Sequence, residues 1–266
     1  VVIAIDMDEN QEYVILGKGV GFGKKVGQRF DKPQECTMYR LAQETERGSA
    51  KELVKGIEPE YLEIADAILT EAQKVFGDSI DRGILFPLAD HISFAVARIR
   101  RNEQISNPLT EDIKVLFYSE FKVAETLKTI LKERLQIEID DHEVGYVALH
   151  IHSAIGDEKV SVAMQTARAV RECIDMIEKA TGKPIDVLSL SYNRLMNHMK
   201  YMVARASTGE KLNLDMNEYM LDQYPQAYEI AADICKNLEG CIGHKLDETE
   251  IGYLEMHIQR VYKDAV

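Results

Sequence analysis

The chain reads as a small all-β N-terminal domain followed by two all-α helical-bundle repeats. Three observations predict this. Short β-branched runs and a glycine-rich stretch are confined to the first part of the 266 residues. From about residue 58 the apolar spacing turns helical and stays so. The helical part also matches itself at a constant offset: 198 minus 91 and 257 minus 150 both give 107, pairing His91 with His198 and His150 with His257. The flanking residues follow, with Leu88 opposite Leu195, Arg98 opposite Arg205, Asp140 opposite Asp247, Glu143 opposite Glu250 and Tyr146 opposite Tyr253. A unit of about a hundred residues is too long for a solenoid period and has the size of an ordinary domain.

The elements follow in order. VVIAID and EYVILG are two strands around the polar turn Met7-Asp8-Glu9-Asn10. GKGVGFGKKVGQRF, with glycines at 17, 19, 21, 23 and 27, is a locally basic loop or bent strand. A sheet this small with open edges is marginal alone, so dimerisation is the expected way to stabilise it. Pro59 suits the first turn of a helix running to about Phe76, and a second helix runs from about Asp81 to Arg101 before Asn107-Pro108. A third covers about 110–134. Asp140 with Glu143, and Asp247 with Glu250, are capping-box-like starts for the helices bearing His150 and His257. The second copy reads as helices near 161–181, 188–207, 218–239 and 247–263, the first closed by Gly182-Lys183-Pro184. The expected domains are residues 1–55, 58–160 and 161–266.

Composition narrows the class. The chain is 45% hydrophobic and 29% charged, has six prolines and no tryptophan, and contains no apolar run that would span a membrane. No secretory leader is visible, and Val1 in place of Met is read as a front that has lost a few native residues. Four cysteines without CxxC spacing point to reduced thiols and a cytoplasmic protein. The net charge of −13 falls almost wholly on the repeats, because residues 1–50 hold seven Lys/Arg against eight Asp/Glu. Acidic repeats repel phosphate backbones, so any nucleic-acid contact belongs to the front segment.

The seven histidines divide into two groups. His142 and His244 sit in a helix-start turn and a polar loop and read as structural. His152 forms an HxH with His150, but residues two apart on a helix diverge, so chelation by this pair is not expected and no metal site is predicted. His91, His150, His198 and His257 occupy matching contexts in both copies. They are either repeated core or capping histidines, or imidazole nucleophiles that accept a phosphoryl group near neutral pH. Asp90 is a candidate orienting or repelling group for His91. Arg98 and Arg205, seven residues after His91 and His198, lie on about the same helix face and would meet a phosphate or form surface salt bridges.

In the front segment, glycines permit close approach to a nucleic-acid backbone, Phe22 offers a stacking face, and Lys18, Lys24, Lys25 and Arg29 offer phosphate contacts. The alternative is a glycine-rich hairpin with a solvated basic edge. A dinucleotide site is not expected, because the glycines do not open a helix after a strand.

These residues converge on a resemblance. LGKGVGFGKK, LADHISFAVAR, EVGYVALHIHSA, RLMNHMKYMVAR and EIGYLEMHIQRV stand in the order and spacing of the BglG/SacY-type transcriptional antiterminators. That family has an RNA-binding co-antiterminator domain followed by two phosphotransferase-system regulation domains, and ALHIHSA with DHISFAVAR leans toward its glucose-responsive subgroup. The resemblance implies phosphorylation at His91, His150, His198 and His257, and RNA contacts from Gly17, Lys18, Gly19, Phe22 and Lys24. It implies a homodimer that holds an antiterminator hairpin in nascent RNA. The phosphocarrier and the sugar transporter component would be the phosphoryl partners, with the inhibitory event in the first repeat. The family's asparagine-rich segment before the first strand is lacking here. No cofactor and no enzymatic turnover are expected. The rivals are a histidine phosphocarrier without RNA function and a DNA-binding regulator. The latter needs a helix-turn-helix that residues 1–57 do not offer.

Overall fold

A computed structural model describes residues 1–7, 11–31, 35–41, 44–45, 48–49, 56–103, 105–156, 159–187 and 189–264. Residues 8–10 of the expected first turn, 50–55 at the expected end of the β domain, and position 188 lie outside the described residues. The architecture is the expected one, a small antiparallel sheet followed by helices. The chain divides into two compact units: 1–106 with 119–158, and 107–118 with 159–266.

In the first unit, strands β1 (Val2–Asp6), β2 (Gln11–Leu16) and β3 (Thr37–Arg40) form an antiparallel sheet in the order β1-β2-β3. Val2 pairs with Ile15 and Leu16 with Thr37. The central strand carries the core, with Val14, Ile15 and Leu16 buried. The edge strand β1 alternates, and its Ile3 and Ile5 are more than half exposed. A two-residue hairpin, β4 (Glu44–Thr45) with β5 (Gly48–Ser49), follows.

The sheet is tied to the helices by a polar cluster. The Tyr39 hydroxyl on β3 donates to Asp66 of helix α1 (Pro59–Phe76), and Arg82 reaches both that hydroxyl and Asp66 at 2.6 Å. Burial and the Asp66 carboxylate raise the Tyr39 phenol, which therefore remains a donor. Arg82 lies in a 3-10 turn (Arg82–Ile84) directly before helix α2 (Leu85–Arg100). The neighbouring Asp81 amide donates to the Ala154 carbonyl at 2.8 Å.

Pro59 at the first position of α1 needs no amide partner, as expected, and Gly77 (φ 66°) ends the helix. The expected second helix begins four residues late, because the Asp81 carboxylate caps the 3-10 turn through the Gly83 amide.

The expected third helix, 110–134, is divided. α3 (Thr110–Leu116) ends at Phe117, whose backbone (φ −119°, ψ 47°) leaves the helical region. α4 (Tyr118–Ala124) and α5 (Thr126–Leu135) follow. The break has a tertiary cause: α3 buries Ile113 and Leu116 in the second unit, whereas α4 buries Phe121 in the first. Helix α6 (Asp141–Gly156) completes the first unit and packs on α2 and α1.

The second unit contains α7 (Val160–Thr181), α8 (Leu190–Thr208), α9 (Asn217–Gln223), α10 (Pro225–Ile242) and α11 (Glu250–Asp264). Gly182, Gly209 and Gly243, all in the left-handed region, end three of them. The expected helix 218–239 also divides, at Tyr224-Pro225, where proline removes an amide and restricts the preceding residue. α3 packs on α7 and α8, and the buried Asp112 accepts a hydrogen bond from Tyr192 Oη at 2.9 Å. α9, which stands 107 residues later, instead packs on α10 and α11.

Candidate functional site: two histidine pairs and a glycine-rich loop

Each unit builds the same site from two packed helices. In the first, His91 and Arg98 lie seven residues apart on α2, and Glu143 and His150 lie seven apart on α6. Seven residues are two helical turns, so both members of each pair face the partner helix. The His91 and His150 rings stand 5.3 Å apart between centroids, and Arg98 Nη2 donates to Glu143 Oε1 and Oε2 at 2.9 and 3.2 Å. In the second unit the rings of His198 (α8) and His257 (α11) stack at 4.7 Å. There Arg205 clamps Glu250 with Nε at 2.6 Å and Nη2 at 2.8 Å. Tyr146 and Tyr253 lie beside the first histidine of each pair, with ring centroids 5.8 and 6.3 Å away.

The first histidine pair and both glutamates are nearly closed to water, while His198 and His257 are half-buried. His91 and His150 are each 8% exposed, and the glutamates 3% and 2%. Burial, together with the charges of His257 and Arg205, lowers His198 to about 3. Burial with Arg260 and Arg194 nearby lowers His257 to about 4. Both rings are therefore neutral at physiological pH and keep a nitrogen lone pair for nucleophilic attack. His91 Nε2 lies 3.5 Å from Glu143 Oε2, and His198 Nε2 lies 3.7 Å from Glu250 Oε2. Burial pushes the Glu143 carboxyl up, but the adjacent His91 and the hydrogen-bonded Arg98 guanidinium outweigh it and hold the group below its usual value.

All four repeated histidines sit in the two pairs, and Arg98 and Arg205 sit beside them, each engaged by a glutamate. Asp90 is buried on α2 next to His91. His152 is turned away from His150 and contacts Glu120 through Nδ1 at 2.9 Å, as the helical angle requires. Glu143 and Glu250, read from sequence as halves of capping boxes, are instead turned into the sites. Asp140 still caps its helix through the amides of His142 and Glu143. The signal that finds the glutamates is their match at the repeat offset combined with the seven-residue spacing to the second histidine. Arg194 and Arg260, near His257, have no counterparts in the first copy, where Pro87 and Ser153 stand.

The front loop, 17–30, is a run of tight turns rather than a bent strand. The Phe22 amide bonds to Gly19 O at 2.9 Å and the Lys24 amide to Gly21 O at 3.2 Å. Gly19 and Gly23, at φ 72° and 71°, turn the chain on either side of Phe22, which is 92% exposed. Lys18 and Lys24 are exposed beside it, with Lys24 Nζ 4.5 Å over the Phe30 ring. Gly17 is sterically required, since a Cβ there would meet Glu35 O and Val20 Cγ2 at 2.7 Å. Among the described residues there is no cluster of three or more His, Cys, Asp or Glu able to hold a metal, and no helix long and apolar enough to cross a membrane.

Family models match three parts of the chain. Residues 1–48 match the CAT RNA binding domain, and residues 66–154 and 171–261 each match the PRD domain. The chain is 30% identical over 264 residues to the GlcA/glcB genes antiterminator of Staphylococcus carnosus, covering 97% of this chain and 91% of that protein. It is 27% identical to the transcription antiterminator LicT of Bacillus subtilis, over 99% and 96% of the two chains. A crystal structure of GlcT CAT-PRDI superposes with a TM-score of 0.50 at 27% identity, covering 58% of this chain and 91% of that one.

Proposed function

The chain belongs to the family of transcriptional antiterminators that join a CAT RNA-binding domain to PRD domains, and from that premise we propose that its β unit grips an RNA hairpin while its histidine pairs set whether it does so. Residues 1–55 form the RNA-binding domain, 58–160 the first regulation domain and 161–266 the second. Gly17, Lys18, Gly19, Phe22 and Lys24 carry the RNA contact: Phe22 stacks on an unpaired base while the lysines meet phosphates. Two chains pair through their sheets, which supports the exposed Ile3, Ile5 and Met7 as a mating surface. Holding the hairpin prevents an overlapping terminator from forming.

His91, His150, His198 and His257 accept phosphoryl groups from the phosphocarrier and the sugar transporter component of the phosphotransferase system, in the cytoplasm. The chain does not turn over a substrate. One observation carries this reading: the same packed pair of histidines, with the same arginine and buried glutamate, is built in both copies of the repeat. Repeated core histidines would need packing partners; they would not need a glutamate-bound arginine at a fixed two-turn spacing.

The test is binding of the purified full-length chain to a terminator-overlapping RNA hairpin, before and after incubation with the phosphotransferase proteins and phosphoenolpyruvate. Binding that changes on phosphorylation is the expected result. Onward transfer of phosphate to a second acceptor without RNA affinity would replace this reading with a phosphocarrier.

A further inference from the structure

Resting on the phosphorylation reading, we infer that Glu143 and Glu250 are positioning residues that convert a phosphoryl group on the histidine pair into separation of the two histidine-bearing helices. Each carboxylate is buried, and in each case an arginine from the partner helix compensates it. The pair Arg98–Glu143 links α2 to α6, and Arg205–Glu250 links α8 to α11. An ion pair whose carboxylate is buried adds little when intact, yet its loss is expensive, because the glutamate left behind is an uncompensated buried charge. That asymmetry makes it a trigger.

In the transfer, the lone pair of a neutral imidazole nitrogen forms the new N–P bond. The donor phosphohistidine's N–P bond breaks with its electron pair staying on the donor nitrogen, and the acceptor ring's remaining N–H proton passes through solvent to the donor ring. The product carries about −1.5 to −2 charges and three acceptor oxygens. These oxygens arrive in a cluster where the carboxylate is already 3.5 Å (Glu143) or 3.7 Å (Glu250) from a ring nitrogen. The phosphate offers Arg98 or Arg205 a stronger bidentate acceptor. As the arginine turns to it, the glutamate is left buried, unpaired and beside a dianion, and the helix carrying it moves away.

A carboxylate is a poor neighbour for a residue that merely stores phosphate, since it opposes the incoming charge. Its presence at the matched position in both repeats, turned into the site rather than to the helix cap, fits a group whose task is to respond to that charge.

The experiment uses the full-length chain, unsubstituted and as Glu143→Gln and Glu143→Asp, with the charged phosphocarrier and radiolabelled phosphoenolpyruvate. Label uptake is measured together with amide hydrogen exchange in α2 and α6. In the unsubstituted chain, phosphorylation should speed exchange in both helices by about tenfold or more, a change of about 1.4 kcal/mol in opening. Glu143→Gln should take label without that acceleration, and Glu143→Asp should restore it. Equal acceleration in Glu143→Gln overturns the inference while leaving the phosphate reading intact. An unsubstituted chain that takes no label overturns both. If Glu143→Gln does not fold, the double variant Arg98→Met with Glu143→Leu, which leaves no buried charge, replaces it with the same expected and overturning results.

Discussion

Phe22 and the second histidine pair represent two opposite uses of a side chain. Phe22 is 92% exposed and gives the folded chain almost nothing, so Phe22→Ala should leave the thermal transition within about 1 °C while weakening RNA binding. One lost base stack is worth about 1–3 kcal/mol, hence about 5- to 150-fold in Kd by titration against a labelled hairpin. Unchanged affinity would remove this loop from the interface. His198 and His257 are costly to protonate where they lie. Their folded values, about 3 and about 4, sit below the unfolded 6.5, so the unfolded chain binds protons first as the pH falls. Stability contributed by the neutral rings is full above pH 6.5 and is lost as the pH drops toward 4. Each histidine adds a slope of about 1.4 kcal/mol per pH unit, and His257→Gln should remove one share, as read from urea titrations across that range. At this scale duplication and composition mark the four histidines, the two arginines and Phe22 as candidates in the sequence. Glu143 and Glu250 were visible but misassigned, since an acidic residue three after an aspartate also reads as a cap; only the packed partner helix distinguishes the two roles.

Helix α11 carries a second titrating group that the site does not use. Glu255 is fully buried and no cation pairs with it among the described residues; Gln259 only partly offsets the burial. Burial lifts its pKa from 4.5 to about 7, so its cost is absent in acid and grows as the pH rises through that interval. Glu255→Leu should stabilise the chain by about 2 kcal/mol at pH 8 and have little effect at pH 5, measured as the shift in urea midpoint. Equal effects at both pH values would show that the carboxylate is not the cause. Helix ends with local chemistry were legible: Pro59 and Gly182 mark theirs. The break at Phe117 was not, because LFYSEF contains no helix-breaking residue. α3 ends there because its buried face and that of α4 belong to different cores.

For the whole molecule, the small sheet is the part least able to stand alone, and its open edge strand shows Ile3 and Ile5 to solvent. Ile5→Lys should raise the dimer dissociation constant by at least about tenfold in sedimentation experiments and weaken hairpin binding in parallel. A dimer that persists unchanged would assign pairing to another surface. The amino-acid sequence by itself determined the class, the duplication and the identity of the histidines, since periodicity, β-branched runs and a self-match at constant offset are properties of the chain as a string. Only the tertiary structure decided that each histidine faces its partner across two helices, that a glutamate stands between histidine and arginine, and that residues 107–118 belong with the second unit. The reason is physical: spacing along a helix sets which face a side chain shares, while its partner is set by which other face is buried against it, and that choice is made by the whole core at once.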